Sequence, residues 1–311
     1  MKTLLVTGSK GLIGSALTMK LSQLGFAFKP FDVRFESGHS GAGNICDKDS
    51  VRKAVEGCTG IIHLAGTSRV ISGEKDPELC RKQNVEGTGN VIEAALSSPL
   101  KPWVIYASSR EVYGQQDLLP VTEDTVLRPM NVYAHSKVAA EKIVKDAREE
   151  GLITSVLRFS NVFGSPFDHE DRVIPAFCRA ALLGENLYVE GGENTFDFTF
   201  VDDVVRGIVA VIGLLNKTPQ NLSPIHFTTG RGITLREAAS IITERAKSFS
   251  LIKEAPPRSF DVSRFYGNPS RAKELLGWAP QFSFEEAIDK FLSSLKGHLS
   301  SQNILLDRSA A

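Results

Sequence analysis

Through its first 160 residues the chain alternates short apolar runs with amphipathic segments, and no other feature restricts the fold as much. Residues 4–7, 27–32, 60–64, 104–107 and 154–159 are short, largely apolar and read as strands. Between them, residues 12–24, 50–56, 76–97 and 132–150 carry apolar positions at helical spacing. A parallel strand pair needs a long crossover, and the helix that supplies it covers one face of the sheet. The expected class is therefore α/β, a doubly wound parallel sheet.

Beyond residue 160 the rhythm breaks. Gly164-Ser165-Pro166, Glu190-Gly191-Gly192, Pro256-Pro257 and Asn268-Pro269 punctuate shorter elements, with helices expected at 235–247 and 284–295. The simplest layout is a sheet domain over 1–160 and a smaller C-terminal lobe over most of 161–311, with some segments returning to the sheet. The tail past Gly297 has little periodicity and is expected to be loose. The 36 Lys and Arg balance the 36 Asp and Glu, so no overall field exists to hold nucleic acid or an anionic membrane, and any anion site must be local. No apolar run is long enough to span a bilayer. Cys46, Cys58, Cys80 and Cys178 form no Cys-x-x-Cys pair and sit near no histidine cluster. Neither a metal site nor a disulfide frame is expected, and a reducing, cytoplasmic setting follows.

Directly after the first strand comes Thr7-Gly8-Ser9-Lys10-Gly11-Leu12-Ile13-Gly14, which opens the first helix. Glycines in that place permit a tight turn and let backbone amides at the helix start approach a pyrophosphate. A lone glycine pattern is weak, but its place between a strand and a helix is the context a dinucleotide needs. Asp32 closes the second strand about twenty residues on, where a carboxylate accepts from ribose hydroxyls and repels a 2′-phosphate. NAD is thus favoured over NADP. Lys10 and Arg34 lie nearby and read as solvated charges.

Tyr133 and Lys137 are four residues apart, on one face of the helix expected at 132–150. A phenol ordinarily titrates near 10, so as a base at neutral pH it needs a neighbouring positive charge. Tyr-x-x-x-Lys is common by chance; here it follows a dinucleotide loop and a serine motif, Tyr106-Ala107-Ser108-Ser109-Arg110-Glu111-Val112-Tyr113-Gly114. That motif begins at the C-terminal end of a strand, the edge at which open α/β sheets bind ligands.

With these motifs in place, the chain resembles the extended short-chain dehydrogenase/reductase family, in particular its nucleotide-sugar epimerases and dehydratases. The resemblance runs from Thr7 to about Leu295. It implies a Rossmann-like sheet with a substrate-binding lobe, NAD as cofactor and a nucleotide sugar as substrate. Ser109, Tyr133 and Lys137 become the catalytic trio, with Glu111 beside them. Gly8, Gly11, Leu12, Ile13, Gly14, Asp32, Asn44 and Ile45 would hold the cofactor, together with Leu64, Ala65 and Gly66 of His63-Leu64-Ala65-Gly66. Asn84 of Asn84-Val85-Glu86-Gly87-Thr88, Tyr133, Lys137 and Ser160 complete that set. Asn161, in Arg158-Phe159-Ser160-Asn161-Val162-Phe163-Gly164, would contact the substrate diphosphate. Phe198 to Asp203 and Leu276-Gly277-Trp278-Ala279-Pro280 match later landmarks of the family. Pairing through helices 76–97 and 132–150 into a homodimer is implied as well.

Three departures bear on the reaction. Asn44 stands where the family often has aspartate, a mild change because an amide still accepts. Phe196-Asp197-Phe198 replaces Arg-Asp-Phe, removing a phosphate-clamping arginine; Arg258 or Arg264 is the expected substitute. Arg110-Glu111 occupies the place of the Asp-Glu pair of the 4,6-dehydratases, and arginine stays charged and cannot act as their acid. A 4-epimerase working through a transient 4-keto sugar and recycled NAD is the first expectation. A UDP-uronate decarboxylase, for which Glu111 is suited, and a 4,6-dehydratase are alternatives. So are a net reductase and a catalytically idle NAD-binding sensor.

Overall fold

The computed structural model describes residues 2–256 and 262–302. Six parallel strands form the central sheet in the order Ile225–Phe227, Thr154–Phe159, Trp103–Ser109, Gly60–His63, Thr3–Thr7, Ala27–Phe31. Alternate side chains of each strand feed different cores. Leu4, Val6, Ile62, Ile105 and Leu157 face one side, under the helices Leu12–Gln23 and Val201–Lys217. Leu5, Ile61, Val104, Tyr106 and Val156 face the other, under Lys48–Val55, Gly87–Ser97 and Val132–Asp146. Burial on both faces explains why these strands are largely apolar and do not alternate, as a parallel sheet requires.

The sixth strand, Ile225–Phe227, comes from the second half of the chain and pairs with Thr154–Phe159. At three residues it was too short for a sequence signal. Apart from it, the second half builds small two-stranded pieces, Asn161–Phe163 with Phe198–Phe200 and Leu187–Glu190 with Ile252–Ala255. Phe163 is in ring contact with Phe198, Phe200, Phe284 and Phe291, which ties the last helix to these strands.

Several boundaries differ from expectation. The helix expected at 76–97 is helical throughout from Pro77, but it passes through a π-helical turn at Lys82–Glu86 between Pro77–Arg81 and Gly87–Ser97. Such turns are rare and re-aim side chains, and this one carries the buried Asn84. The last helix, Phe284–Ser301, continues past Gly297 instead of loosening there. Leu295 and Leu299 are buried one turn apart, so the apolar stripe outlasts the glycine.

Candidate active site

In the sheet order the chain winds outward in both directions from the first strand, so the loops leaving Thr3–Thr7 and Gly60–His63 part company. Their parting opens the crevice in which such sheets bind ligands. A cavity of about 840 Å³ starts there and runs past the end of the Trp103–Ser109 strand to second-half residues such as Phe196 and Leu235.

At its cofactor end the glycine loop is built for close approach. Gly8 has φ +69°, and a Cβ on it would lie 2.7 Å from the amide nitrogen of Ala65. A Cβ on Gly14 would overlap the carbonyl oxygen of Gly8. Gly11 is the N-cap of the helix and supplies no side-chain cap, so the first helical amides are left for an anion. Asp32 is buried and accepts from the amides of Lys10 and Arg34, at 2.8 and 2.9 Å. The Arg34 guanidinium also bonds this carboxylate while staying about half exposed, so the solvated charge expected from sequence is at the same time the partner of Asp32. Burial raises the pKa of Asp32, but the hydrogen bonds from Arg34 and Lys10 outweigh it and hold the carboxyl below its ordinary value. Asn44, Ile45, Leu64, Ala65, Gly66 and Ser160 also line the cavity. Asn84 does not. It is buried behind the wall, where Nδ2 donates to the Thr67 carbonyl and to Ser136 Oγ. An anionic groove at Asp32, uncapped amides and glycines that exclude side chains fit a dinucleotide.

Mid-cavity, Ser109 ends its strand and Tyr133 stands in the first turn of helix Val132–Asp146, which Asn131 caps by accepting from the Ala134 amide at 2.8 Å. Ser109, Tyr133 and Lys137 are all buried and all line the cavity. Burial pushes the Tyr133 phenol up to about 12, and the hydrogen bond with Ser109 pulls the other way. Lys137 Nζ donates to the Ala107 carbonyl at 2.9 Å and lies 5.8 Å from the centre of the Tyr133 ring. Burial lowers its pKa to about 8.

Glu111 is buried beside this trio with both carboxylate oxygens engaged. Oε1 pairs with Arg110 Nη2 at 2.7 Å, and Oε2 accepts from Asn131 Nδ2 at 3.2 Å. Asn131 cannot reverse its amide, because its oxygen caps the helix.

Sequence reasoning missed three parts of the site. Arg110 had been weighed only as an acid that arginine cannot be, yet it lies in the cavity wall with its guanidinium 4.7 Å from the Phe196 ring centre. The cation therefore stands next to the phenylalanine whose replacement of arginine had seemed to remove one. Arg264, one of the two expected substitutes, is exposed and is not on the cavity wall. Arg258, the other, lies outside the described residues. The second part is the bidentate pair of Arg158 with Glu141, at 2.9 and 2.7 Å, with Ser108 Oγ donating to Glu141 at 2.5 Å. It ties the helix Val132–Asp146 to the sheet. Glu141 is one turn past Lys137, so spacing alone placed it on the same face. The third is the polar rim of Arg69, His169 and Arg172, for which the sequence holds no distinguishing signal. Among the described residues no helix is long and apolar enough to cross a membrane.

A family model described as the NAD dependent epimerase/dehydratase family matches residues 4–223. A UDP-glucose 4-epimerase of Mycolicibacterium smegmatis is 32% identical over 306 residues, covering 92% of this chain and 96% of that protein. UDP-glucuronic acid decarboxylase 1 of Danio rerio is 30% identical, over 97% of this chain and 74% of that one. The crystal structure of a UDP-glucose 4-epimerase from Thermotoga maritima with UDP-glucose superposes with a TM-score of 0.87 at 26% identity, covering 96% of this chain and 99% of the other. The sheet topology, the glycine loop and these matches agree: the chain belongs to the NAD dependent epimerase/dehydratase family, with NAD as its cofactor.

Proposed function

We propose that the chain is a nucleotide-sugar 4-epimerase that retains and recycles its NAD. The observation that carries this reading is the state of Glu111. Beside a complete Ser109–Tyr133–Lys137 set, the Glu111 carboxylate has both oxygens tied by Arg110 and Asn131. A base in that condition is poorly placed to take a proton from carbon, as elimination requires. Oxidation at C4 and return of the same hydride need only the trio.

In this mechanism Ser109 holds the sugar 4-oxygen and Tyr133, as phenolate, takes the hydroxyl proton. Burial raises the Tyr133 pKa and the Arg172 charge lowers it; the Lys137 ammonium, 5.8 Å from the ring centre, favours the phenolate as well. Bound NAD would supply a reversible hydride acceptor at C4, held by the residues of the cofactor path. The 4-keto sugar turns over in the cavity between the two steps, so that its other face meets the returning hydride, and Tyr133 gives the proton back to the 4-oxygen. Gly8, Gly11, Leu12, Ile13 and Gly14 take the pyrophosphate, Asp32 the adenosine ribose, and Asn44 and Ile45 the adenine. Leu64, Ala65, Gly66 and Ser160 line the rest of the cofactor path, with Asn84 bracing it from behind. Asn161 donates to the substrate diphosphate. Lobe 161–311 supplies the sugar-nucleotide end, and the enzyme works in the cytoplasm as a homodimer through helices 76–97 and 132–150.

A decarboxylase acting on a UDP-uronate is the second reading, favoured by the Danio rerio relative and by the presence of Glu111 itself. Proton NMR of the protein incubated with NAD and, in turn, UDP-glucose, UDP-glucuronate and dTDP-glucose separates the two. A C4 epimer supports the proposal. A pentose product replaces it with the decarboxylase, a 4-keto-6-deoxy sugar with the dehydratase, and no turnover with bound NAD leaves a sensor.

A further inference from the structure

We infer that Arg110 is a positioning residue: it fixes the side-chain amide of Asn161 so that Nδ2, a hydrogen-bond donor, faces the diphosphate of the nucleotide sugar. The inference rests on the proposed substrate class and adds a residue to its recognition.

Arg110 follows the strand Trp103–Ser109 and is 8% exposed. Its guanidinium lies 4.7 Å from the ring centre of Phe196 and 5.6 Å from that of Phe265. Aromatic faces satisfy its charge but accept little, so its directional bonds lie in its own plane. In that plane Nε donates to Asn161 Oδ1 at 2.8 Å and Nη2 pairs with Glu111 at 2.7 Å. A guanidinium can only donate. It therefore selects the oxygen of the Asn161 amide, since the reversed amide would set two donors against each other inside the protein.

The rest of Asn161 is held independently. Its amide nitrogen donates to the Asp197 carbonyl at 3.1 Å, and its strand pairs with Phe198–Phe200. With backbone and Oδ1 both fixed, Nδ2 is the end left for a ligand; it has no acceptor among the described residues, and Asn161 lines the cavity. Two N–H bonds on that nitrogen suit the anionic oxygens of a diphosphate, which an amide oxygen would repel. Arg110 is also not fully satisfied as a brace. Its Nη1 is buried without a partner among the described residues, a costly state for a residue whose only task is to fill the wall. Because Glu111 neutralises the guanidinium, Arg110 supplies the ligand with an oriented dipole through Asn161 rather than with net charge.

A double-mutant cycle on the NAD-loaded protein tests this, with UDP and dTDP binding read by calorimetry and folding by circular dichroism. Arg110→Met and Asn161→Ala are each expected to weaken binding about tenfold, the scale of one hydrogen bond to a charged group. The double variant is expected to bind no worse than Asn161→Ala alone. Asn161→Asp, which still accepts from Arg110 but turns an oxygen to the diphosphate, is expected to lose more than Asn161→Ala. If Arg110→Met leaves Glu111 unpaired and fails to fold, Arg110→Met with Glu111→Gln removes the orphaned charge and enters the same cycle. Additive losses, or wild-type affinity in Arg110→Met, overturn the inference while leaving the proposed function standing. Absence of nucleoside diphosphate binding by the wild type overturns both.

Discussion

Replacing Lys137 by methionine removes the cation on which Tyr133 relies while keeping the length of the side chain. The distance from Nζ to the Tyr133 ring centre, 5.8 Å, sets the scale. At an effective dielectric constant of about 20, a charge pair at that separation is worth roughly 3 kcal/mol, or about two pKa units. Lys137→Met should therefore raise the apparent pKa of the essential base by about two units and lower the rate at pH 7 about a hundredfold. The shape of the profile changes too. Lys137 is pushed down to about 8 by burial, so the wild-type rate should fall above that pH as the ammonium loses its proton. In Lys137→Met this falling limb has no source, and the rate should climb steadily towards pH 10. Initial rates of sugar epimerisation at saturating NAD, followed from pH 5 to 10 for both proteins, supply the comparison. A variant that retains the falling limb near pH 8, or whose rate is low and independent of pH, would refute the coupling between Lys137 and Tyr133.

Three further outcomes are expected. Gly14→Ala sets a methyl group, fixed in place by its own backbone, against the backbone carbonyl oxygen of Gly8, so a loss of about 1–3 kcal/mol in urea unfolding is expected together with weakened NAD binding. Arg158→Met strands the buried Glu141 carboxylate and should cost about 3–5 kcal/mol, whereas an unchanged urea midpoint would show that the pair is not bracing the helix Val132–Asp146. His63 bridges Thr7 and Thr88 and is pushed down to about 3 by burial, with the Lys137 charge adding to it. Only the unfolded chain then takes up a proton on this group, so its stabilisation is complete above about pH 6.5 and is lost as pH falls, by about 1.4 kcal/mol per pH unit. His63→Asn should flatten the acid side of the stability profile by that slope, and an unaltered slope would place the proton uptake elsewhere.

The parallel sheet was legible because strands buried on both faces leave continuous apolar runs, and because each is followed by a helix. The glycine loop was legible for a local reason: Gly8 and Gly14 answer to backbone contacts a few residues away. What escaped was set by distant parts of the chain. Ile225–Phe227 joins the sheet beside residues nearly seventy positions earlier, with only three residues to announce it. Asn84 carries a family motif, yet the π-helical turn at Lys82–Glu86 sets it behind the cavity wall. Arg110 was visible as a residue but not as a part, because its meaning depends on Asn161, Phe196 and Phe265, between 51 and 155 positions away in sequence. Arg34 is the solvated charge the sequence suggests, and its pairing with Asp32 was not legible because it arises only through the turn that follows the strand.

In the proposed mechanism C4 of the sugar gives up a hydride and receives the same one back on its other face. UDP-glucose carrying deuterium at C4, incubated with the protein and NAD in ordinary water and read by proton NMR and mass spectrometry, addresses it directly. The account predicts UDP-galactose with the deuterium retained at C4 and no net formation of NADH. Loss of the label to solvent, its appearance at another carbon, or accumulation of NADH in step with product would contradict it.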